Sequence, residues 1–417
     1  MSGSFSIPIQ VVEAGGVTAW LVEDHSVPVV SLAWSWPGGA ALDSDEQAGA
    51  AALTAALLSE GAGPLDAPAF ADALRDGGIS LGFAGARDQF EGGFRCLAEA
   101  LPETVRLARL AMAEPRFDAE AVTRIRARAI AQARQTLETP RGQAGRAFWA
   151  AAYPTHPAGR PSSGTAETLA AIPVAALRDV VARQIRHEGL LVAAAGAIGP
   201  GALAGVLDQL FGGLPPGAPP AAPPLPVFNQ FGRSVLGMDS PQSQVIFGQP
   251  GIPVQDPDWE AAQVVLRILA GGGFSSRLMQ AVRVERGLTY GIGAGLDVLF
   301  NQAIVVGAFA SDNAKVAEAL EATRAEWSRM AESGPTVPEL DEAVAYLTGS
   351  LPLQFTDSRR IANTLLALRR NGRPRDWLDG RAARLRALTR DGTAAVAGRL
   401  LLPDAFSVAI AGRPVGL

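Results

Sequence analysis

An arginine and a tyrosine in the segment 271–290 are the residues best suited to carry out chemistry. The segment reads GGGFSSRLMQAVRVERGLTY and places Arg283 and Tyr290 seven positions apart. Its pattern predicts a glycine-rich turn, a basic helix over about 275–285 that Gly287 ends, and then a strand. A guanidinium and a phenol held on either side of this helix-to-strand turn could bind and polarise a peptide carbonyl.

The composition favours a globular protein with more than one domain. The 417 residues are 48% hydrophobic and 18% charged, which is enough apolar material for sizeable cores. The formal net charge of −5 disfavours a nucleic-acid partner, because nucleic-acid binding usually requires a basic face. No apolar run is long enough to span a membrane, and the N-terminal sequence lacks the features of a signal peptide. We therefore expect a cytoplasmic protein with no membrane partner.

A segment rich in proline and glycine, 211–228, is predicted to be an extended linker between domains at 1–210 and 229–417. The two halves follow one plan and end in similar short strands, LLVAAAG and FSVAIAG, which indicates a duplication. Each half groups its strands and long helices instead of alternating them. The predicted class is therefore α+β, with two homologous domains, each a mixed or antiparallel sheet covered by helices.

One helix of the first half is well defined by its sequence but contains no reactive side chain. Residues 44–61 read SDEQAGAAALTAALLSEG and predict a helix from about Asp45 to Glu60. Ser44 and Gln47 have the spacing of a capping box at its start. Because the interior consists of alanine, leucine and one threonine, the helix should be buried, and it contains nothing that could bind a metal or transfer a proton.

Two stretches together resemble the pitrilysin/insulinase family of inverted zinc peptidases, which includes the mitochondrial processing peptidases. They are GGGFSSRL…R…RGL.Y in the second half and the frame PGGAALD…QAG…LLSEGAG in the first. In that family the first-half helix carries His-x-x-Glu-His, whose histidines bind zinc and whose glutamate is the general base. The corresponding residues here are Ala52, Ala55 and Ala56. A distal glutamate ligand of the family corresponds to Gln132, and a neutral amide is a poor zinc ligand.

The resemblance therefore implies a degenerate zinc site and no cofactor in this chain, within a fold that forms half of a clamshell chamber. The three histidines, His25, His156 and His187, are too far apart in sequence to form a relocated motif. We expect them to be solvated or hydrogen-bonded surface residues, with a site assembled from scattered histidines as the alternative. The single cysteine, Cys96, excludes an intrachain disulfide and should be a small buried side chain.

The resemblance also implies roles in the second half. Tyr290 would hydrogen-bond the oxyanion of the tetrahedral intermediate, and Arg283 would hold the substrate backbone or its carbonyl. The alternative is a solvated arginine and a tyrosine that packs its ring. The glycines at 271–273 resemble a short form of the glycine-rich loop that contributes to substrate recognition in the non-zinc processing subunit; the alternative is a simple turn. These three residues are Gly271, Gly272 and Gly273.

The function that the resemblance implies is that of a non-catalytic subunit in a heteromeric zinc metallopeptidase. A homologous, zinc-bearing partner chain would supply the metal, a peptide would be the substrate, and this chain would be inactive alone. The isolated chain could also form a homodimer. The alternative is a purely structural or peptide-binding protein of the same fold, similar to the core subunits of the respiratory cytochrome complex.

Overall fold

The chain forms two compact units, and the computed structural model describes residues 6–417 of it. Unit 1 comprises the chain up to Arg134 together with Arg160–Pro223 and Pro352–Asp379. Unit 2 comprises Gln135–Gly159, Pro224–Leu351 and Gly380–Leu417. One boundary between the units, Pro223/Pro224, lies within the proline-rich segment 211–228. However, each half of the sequence also contributes a segment to the other unit, so the units differ from the contiguous domains 1–210 and 229–417.

The strands and helices are numbered along the chain. The strands are β1 (Ile9–Ala14), β2 (Val17–Glu23), β3 (Val29–Pro37), β4 (Ser80–Gly85), β5 (Gln89–Leu97), β6 (Leu191–Gly196), β7 (Arg233–Gly237), β8 (Gln242–Pro253), β9 (Ile292–Leu299), β10 (Gln302–Asp312) and β11 (Ser407–Gly412). The α-helices are α1 (Ala50–Leu57), α2 (Ala67–Asp76), α3 (Leu101–Ala113), α4 (Ala119–Leu137), α5 (Pro140–Ala152), α6 (Ala166–Ala171), α7 (Val174–Gln184), α8 (Pro200–Phe211), α9 (Trp259–Leu266), α10 (Val316–Ser333), α11 (Val337–Gly349), α12 (Ser358–Arg370), α13 (Arg381–Arg386) and α14 (Arg390–Leu400).

Unit 1 is built on a six-stranded sheet in the order β1-β2-β6-β3-β5-β4. All neighbours are antiparallel except β2 and β6, which are parallel, so the sheet is mixed. Residues Leu32, Phe94 and Leu81 are paired across three strands and belong to one apolar core with side chains from the helices of the first half. Because side chains alternate along a strand, the next residues belong to the opposite face.

The opposite face of this sheet is lined by small residues and is covered by α12. Ala33, Gly93 and Gly82 are paired across β3, β5 and β4. The helix α12 packs against β6, β3 and β2. Its Arg369 donates from Nη1 to the carbonyls of Thr18 (2.5 Å) and Val192 (2.6 Å). A helix from the second half of the sequence thus covers the sheet of the first.

Unit 2 repeats this arrangement with a five-stranded sheet in the order β7-β11-β8-β10-β9. Only the pair β7 and β11 is parallel. On this sheet the contributed helix is α5, from the first half, which packs against β11 and β8. Its Phe148 is fully buried next to Phe228 and Phe231. The predicted α+β class, with two sheets covered by helices, is confirmed.

Membrane insertion was disfavoured by the sequence. Within residues 6–417, none of the helices combines the length and the apolar composition that a bilayer crossing requires.

The exchange of helices predicts that α12 stabilises unit 1. Leu365 of α12 is fully buried, so Leu365→Ala should lower the free energy of unfolding by about 2–5 kcal/mol through lost burial and a residual cavity. Leu353, which lies in the same segment but is 65% exposed, provides the control, and its alanine variant should change stability by less than about 0.5 kcal/mol. Urea unfolding followed by circular dichroism measures both. Equal effects would contradict the assignment of α12 to the core of unit 1.

Candidate functional site

The first-half helix is shorter than the sequence predicted and has a different cap. It spans Ala50–Leu57 instead of about 45–60, and the predicted capping box of Ser44 and Gln47 is wrong. Asp43 accepts hydrogen bonds from the N–H groups of Gly49 (3.2 Å) and Ala51 (3.1 and 3.2 Å). Gly49 has a φ of 95°, which a residue with a side chain rarely adopts, so the chain turns there and the helix begins afterwards.

Asp43 is a buried carboxylate that fixes the start of α1. It is 5% exposed, and Arg183 of α7 donates to its Oδ1 at 2.7 Å. Arg160 donates to its backbone carbonyl at 2.8 Å. Burial raises the pKa of the Asp43 carboxyl to about 6, although the Ala51 N–H and the charge of Arg183 act in the opposite direction. Sequence reasoning missed this residue, whose only signal was an aspartate near the expected helix start.

The positions of the degenerate zinc motif lie on α1 as expected. Ala55 is buried, Ala52 is half-buried and Ala56 is exposed, and their methyl groups offer no ligand. Gln132, at the position of the distal ligand, lies exposed on α4. Throughout residues 6–417, no three histidine, cysteine, aspartate or glutamate side chains are grouped so that they could hold a metal ion.

The histidines lie in three separate environments. His25 is exposed and pairs with Glu23 (2.9 Å), and His187 is half-buried with its Nε2 2.7 Å from the Gly15 carbonyl. Both agree with the expected surface histidines. His156 does not, since it is 7% exposed in unit 2, with its ring edge-on to Phe300 at a centroid distance of 5.3 Å. Its aromatic surroundings account for its burial. Cys96 is buried, as expected, and burial raises the pKa of its thiol.

The second-half site is built on irregular helices. After α9 the backbone continues as a π-helical segment, Arg267–Gly271, and a second one, Met279–Val284, follows the glycine turn. Gly287, with a φ of 59°, ends this helix as expected. The strand β9 begins only at Ile292, so the prediction of a strand directly after Gly287 is wrong. Wide helical turns of this kind occur often at functional sites.

Arg283 and Tyr290 both present polar groups without a polar partner in the described chain. Arg283 is half-buried, with its guanidinium carbon 4.4 Å from the centroid of the Phe274 ring. No carboxylate among residues 6–417 forms an ion pair with it, and the two side chains make no direct bond with each other. Tyr290 is 81% exposed. The neighbouring Thr289 donates to the Ala310 carbonyl at 2.7 Å, which fixes the backbone beside the exposed phenol.

Phe274 was not singled out from the sequence. The only available signal was an aromatic residue directly after three glycines, which by itself is more typical of a turn that packs a ring. In the structure Phe274 is 59% exposed, and the face of its ring is occupied by Arg283. The ring therefore orients the guanidinium without using any of its N–H donors.

The glycine turn is held by side chains that follow it. Gly273 has a φ of 61°, which accounts for glycine at this position. Ser275 donates to the Gly272 carbonyl (3.0 Å) and Ser276 to the Gly273 carbonyl (2.8 Å). A Cβ at Gly271 would meet nothing closer than 3.5 Å. The turn is thus ordered by its own sequence, which is compatible both with substrate recognition and with a simple turn.

Arg277 anchors the helix that carries Arg283. It donates from Nε and Nη2 to the two carboxylate oxygens of Glu339, both at 2.7 Å, and to the Gly334 carbonyl at 3.0 Å. Burial acts to raise the pKa of Glu339, but the bonds from Arg277 and Thr336 outweigh it and lower the pKa to about 2. Arg277 is therefore a structural ion-pair residue.

The chain is similar to several known proteins. The family profile described as "Peptidase M16 inactive domain" matches residues 171–347. The non-peptidase homolog YmxG of Helicobacter pylori is 25% identical over 344 residues, which are 82% of this chain and 79% of that protein. The crystal structure of a peptidase M16 inactive domain from Pseudomonas fluorescens is 25% identical, with a TM-score of 0.92 over 98% of this chain and 99% of that one.

These similarities support a pitrilysin-like, non-zinc-binding member of the M16 peptidases. The matched residues 171–347 do not include α1, whose Ala52, Ala55 and Ala56 correspond to the zinc motif through the sequence resemblance alone. A chain of complex III2 from Candida albicans has the same fold, with a TM-score of 0.80 at 15% identity, covering 98% of this chain and 96% of that one.

The buried Asp43 should make the free energy of unfolding depend on pH. Because its pKa when folded (about 6) exceeds its ordinary value of 3.8, the folded protein binds more protons than the unfolded chain between these values. This extra proton binding stabilises the folded protein below about pH 4, and the stabilisation is lost as the pH rises through 6. In urea unfolding at several pH values, the free energy of unfolding of the parent should decline between about pH 4 and 6. Asp43→Asn should remove this part of the decline. Asp45→Asn, at an exposed position, is the control and should keep it.

The Arg277–Glu339 pair should have the opposite pH dependence. Since the pKa of Glu339 is depressed to about 2 from 4.5, its contribution is present above about pH 4.5 and is lost as the pH falls towards 2. Glu339→Gln should therefore be less stable than the parent at pH 7, and the difference should shrink in acid. Glu342→Gln, an exposed change on the same helix, should shift the unfolding midpoint little at either pH. If the difference in stability between Glu339→Gln and the parent were constant with pH, the Arg277–Glu339 ion pair would not be the source of the stabilisation.

Proposed function

We propose that this M16 protein is a non-catalytic subunit of a heteromeric zinc metallopeptidase that degrades or processes peptides. The observation that carries the proposal is the state of Arg283 and Tyr290. Both belong to an ordered turn of unit 2, yet neither side chain has a polar partner among residues 6–417. Polar groups that a fold positions but does not use for itself are available to a ligand.

The chemistry of the two side chains suits a carbonyl undergoing attack. A phenol donates a single proton and stays neutral at physiological pH, so Tyr290 would hydrogen-bond an oxyanion as it develops. Arg283 lies over the Phe274 ring, and its N–H donors point along the guanidinium plane, where they would hold a backbone carbonyl of the substrate. Neither group can activate water, which agrees with a chain that is inactive alone.

The remaining groups would come from a homologous partner chain. In this proposal the partner carries His-x-x-Glu-His and the distal glutamate, binds the zinc and provides the general base. This chain contributes Arg283 and Tyr290, and the turn at 271–273 contributes backbone contacts to the peptide. The absence of ligands at Ala52, Ala55 and Ala56 of α1 supports this division of roles.

The second candidate function is that of a purely structural or peptide-binding protein. It is favoured by the fold shared with a chain of complex III2 and by the name "non-peptidase homolog" of the Helicobacter pylori relative. In this case Arg283 and Tyr290 would be exposed residues without a catalytic role. The two candidates differ in what happens when the tyrosine hydroxyl is removed.

The test is peptide hydrolysis by this chain together with a zinc-bearing M16 chain encoded by a neighbouring gene. Tyr290→Phe should lower kcat by about 10- to 1,000-fold and change KM little, because the lost bond forms mainly in the transition state. Tyr346→Phe is the matched control, because Tyr346 is also exposed (52%) and lies in the same unit, and it should retain full activity.

Full activity of Tyr290→Phe in an active mixed complex would rule out the catalytic role. Formation of a stable complex that hydrolyses no peptide would favour the structural candidate. Activity of this chain alone, abolished by a chelator, would contradict both candidates.

A further inference from the structure

The small-residue face of the unit 1 sheet contains a groove that has no role in the proposed function. The helix α12 covers β6, β3 and β2 but leaves part of β5 and β4 open. The groove has a volume of about 290 Å³ and runs between that open part of the sheet and the side of α12. Its floor includes Gly82 and Gly93, and its wall includes Arg359 and Asn363.

Two arginines of α12 bridge the helix to the open strands. Arg359 donates from Nη2 to the Ser80 hydroxyl of β4 at 2.8 Å. Arg370 donates to Glu91 of β5 at 2.7 Å. They are 11 residues apart on one helix, which corresponds to roughly 16 Å. The groove itself is shorter, because Arg370 does not line it: its lining on β4 runs from Ser80 to Ala84, roughly 13 Å, the length of about four residues of an extended peptide.

The charge at one end of the groove is unbalanced. Glu91 is paired with Arg370, and Asp357 is paired with Arg95 (3.5 Å), so both nearby carboxylates already have an arginine. No carboxylate among residues 6–417 forms an ion pair with Arg359, whose single hydrogen bond goes to a neutral hydroxyl. Because a guanidinium has five N–H donors, Arg359 can still bind a carboxylate in bidentate fashion.

We propose that this groove binds a peptide through a carboxylate, with the chain lying over the glycine floor and its carboxylate on Arg359. The glycines allow a backbone to approach the sheet closely, and the exposed amide of Asn363, one turn along α12 from Arg359, offers a donor and an acceptor. The carboxylate is that of an aspartate or glutamate side chain or of the peptide C-terminus. The residues of this chain that line the groove all belong to unit 1, so this site does not depend on the proposed role of Arg283 and Tyr290.

The test is isothermal titration calorimetry of the full chain with three N-acetylated pentapeptides. One has a glutamate and an amidated C-terminus, the second has neutral side chains and a free C-terminus, and the third is neutral and amidated. At least one carboxylate peptide should bind, and the neutral peptide at least about 10-fold more weakly, as expected for a charge-assisted bond. The first two peptides distinguish a side-chain carboxylate from a terminal one.

Two pairs of variants test the geometry. Arg359→Gln should weaken binding by about 10-fold or more, whereas Arg360→Gln, with the same charge change one residue away, should weaken it less than about threefold. Gly82→Val should block the groove, because a Cβ there meets no atom within 4 Å and the side chain would fill open space. Gly237→Val, at a strand glycine of β7 with equally open surroundings, is its control. Circular dichroism and thermal unfolding establish that each variant is folded.

Equal affinity for all three peptides would overturn the proposal, as would equal losses in Arg359→Gln and Arg360→Gln. Undiminished binding by folded Gly82→Val, or no binding of any peptide at millimolar concentration, would also overturn it.

Discussion

The structure depends on the need to cover both faces of each sheet. A sheet whose two faces consist of apolar or small residues has to pack against helices on both sides, and the first-half helices supply only one layer to the unit 1 sheet. The second layer is α12, which can lie close because Ser31, Ala33 and Ala193 present little bulk beneath it. The same requirement in unit 2 is met by α5. The groove beside α12 follows from this packing, since one helix is too narrow to cover all six strands.

The fold of α1 does not depend on a zinc site, because the helix is held by other interactions. Its first N–H groups are satisfied by Asp43, which Arg183 in turn anchors to α7. Its backbone packs so closely on β4 that a side chain at Gly85 would overlap the backbone of Ala51. Zinc ligands on this helix would thus be additions to an already stable element. The helix α1 therefore needs no zinc ligand to keep its place in the fold.

Much of the fold could be predicted from the sequence, but several features that define the candidate sites could not. Patterning predicted the two helix-covered sheets and the proline-rich segment, because these follow from local composition. The start of α1 was missed because a capping box and a buried aspartate compete, and only the tertiary contact with Arg183 decides between them. The packing of α5 and α12 on the sheet of the other half could not be predicted, because an apolar helix face does not specify which sheet it covers. Phe274 and the groove depend on contacts between distant residues.

The helix that follows the glycine turn carries one arginine that stabilises the fold and one whose N–H donors are unused. Arg277 donates hydrogen bonds from Nε and Nη2 to Glu339 and Gly334. It therefore anchors the helix and has few free donors for a ligand. Arg283, six residues later, lies over the Phe274 ring, a contact that fixes its position through the π face and leaves its N–H edge unused. A carboxylate partner would have fixed Arg283 more firmly, but it would have competed with a peptide carbonyl for the same donors. The aromatic contact is therefore the arrangement that keeps a guanidinium both oriented and free to bind.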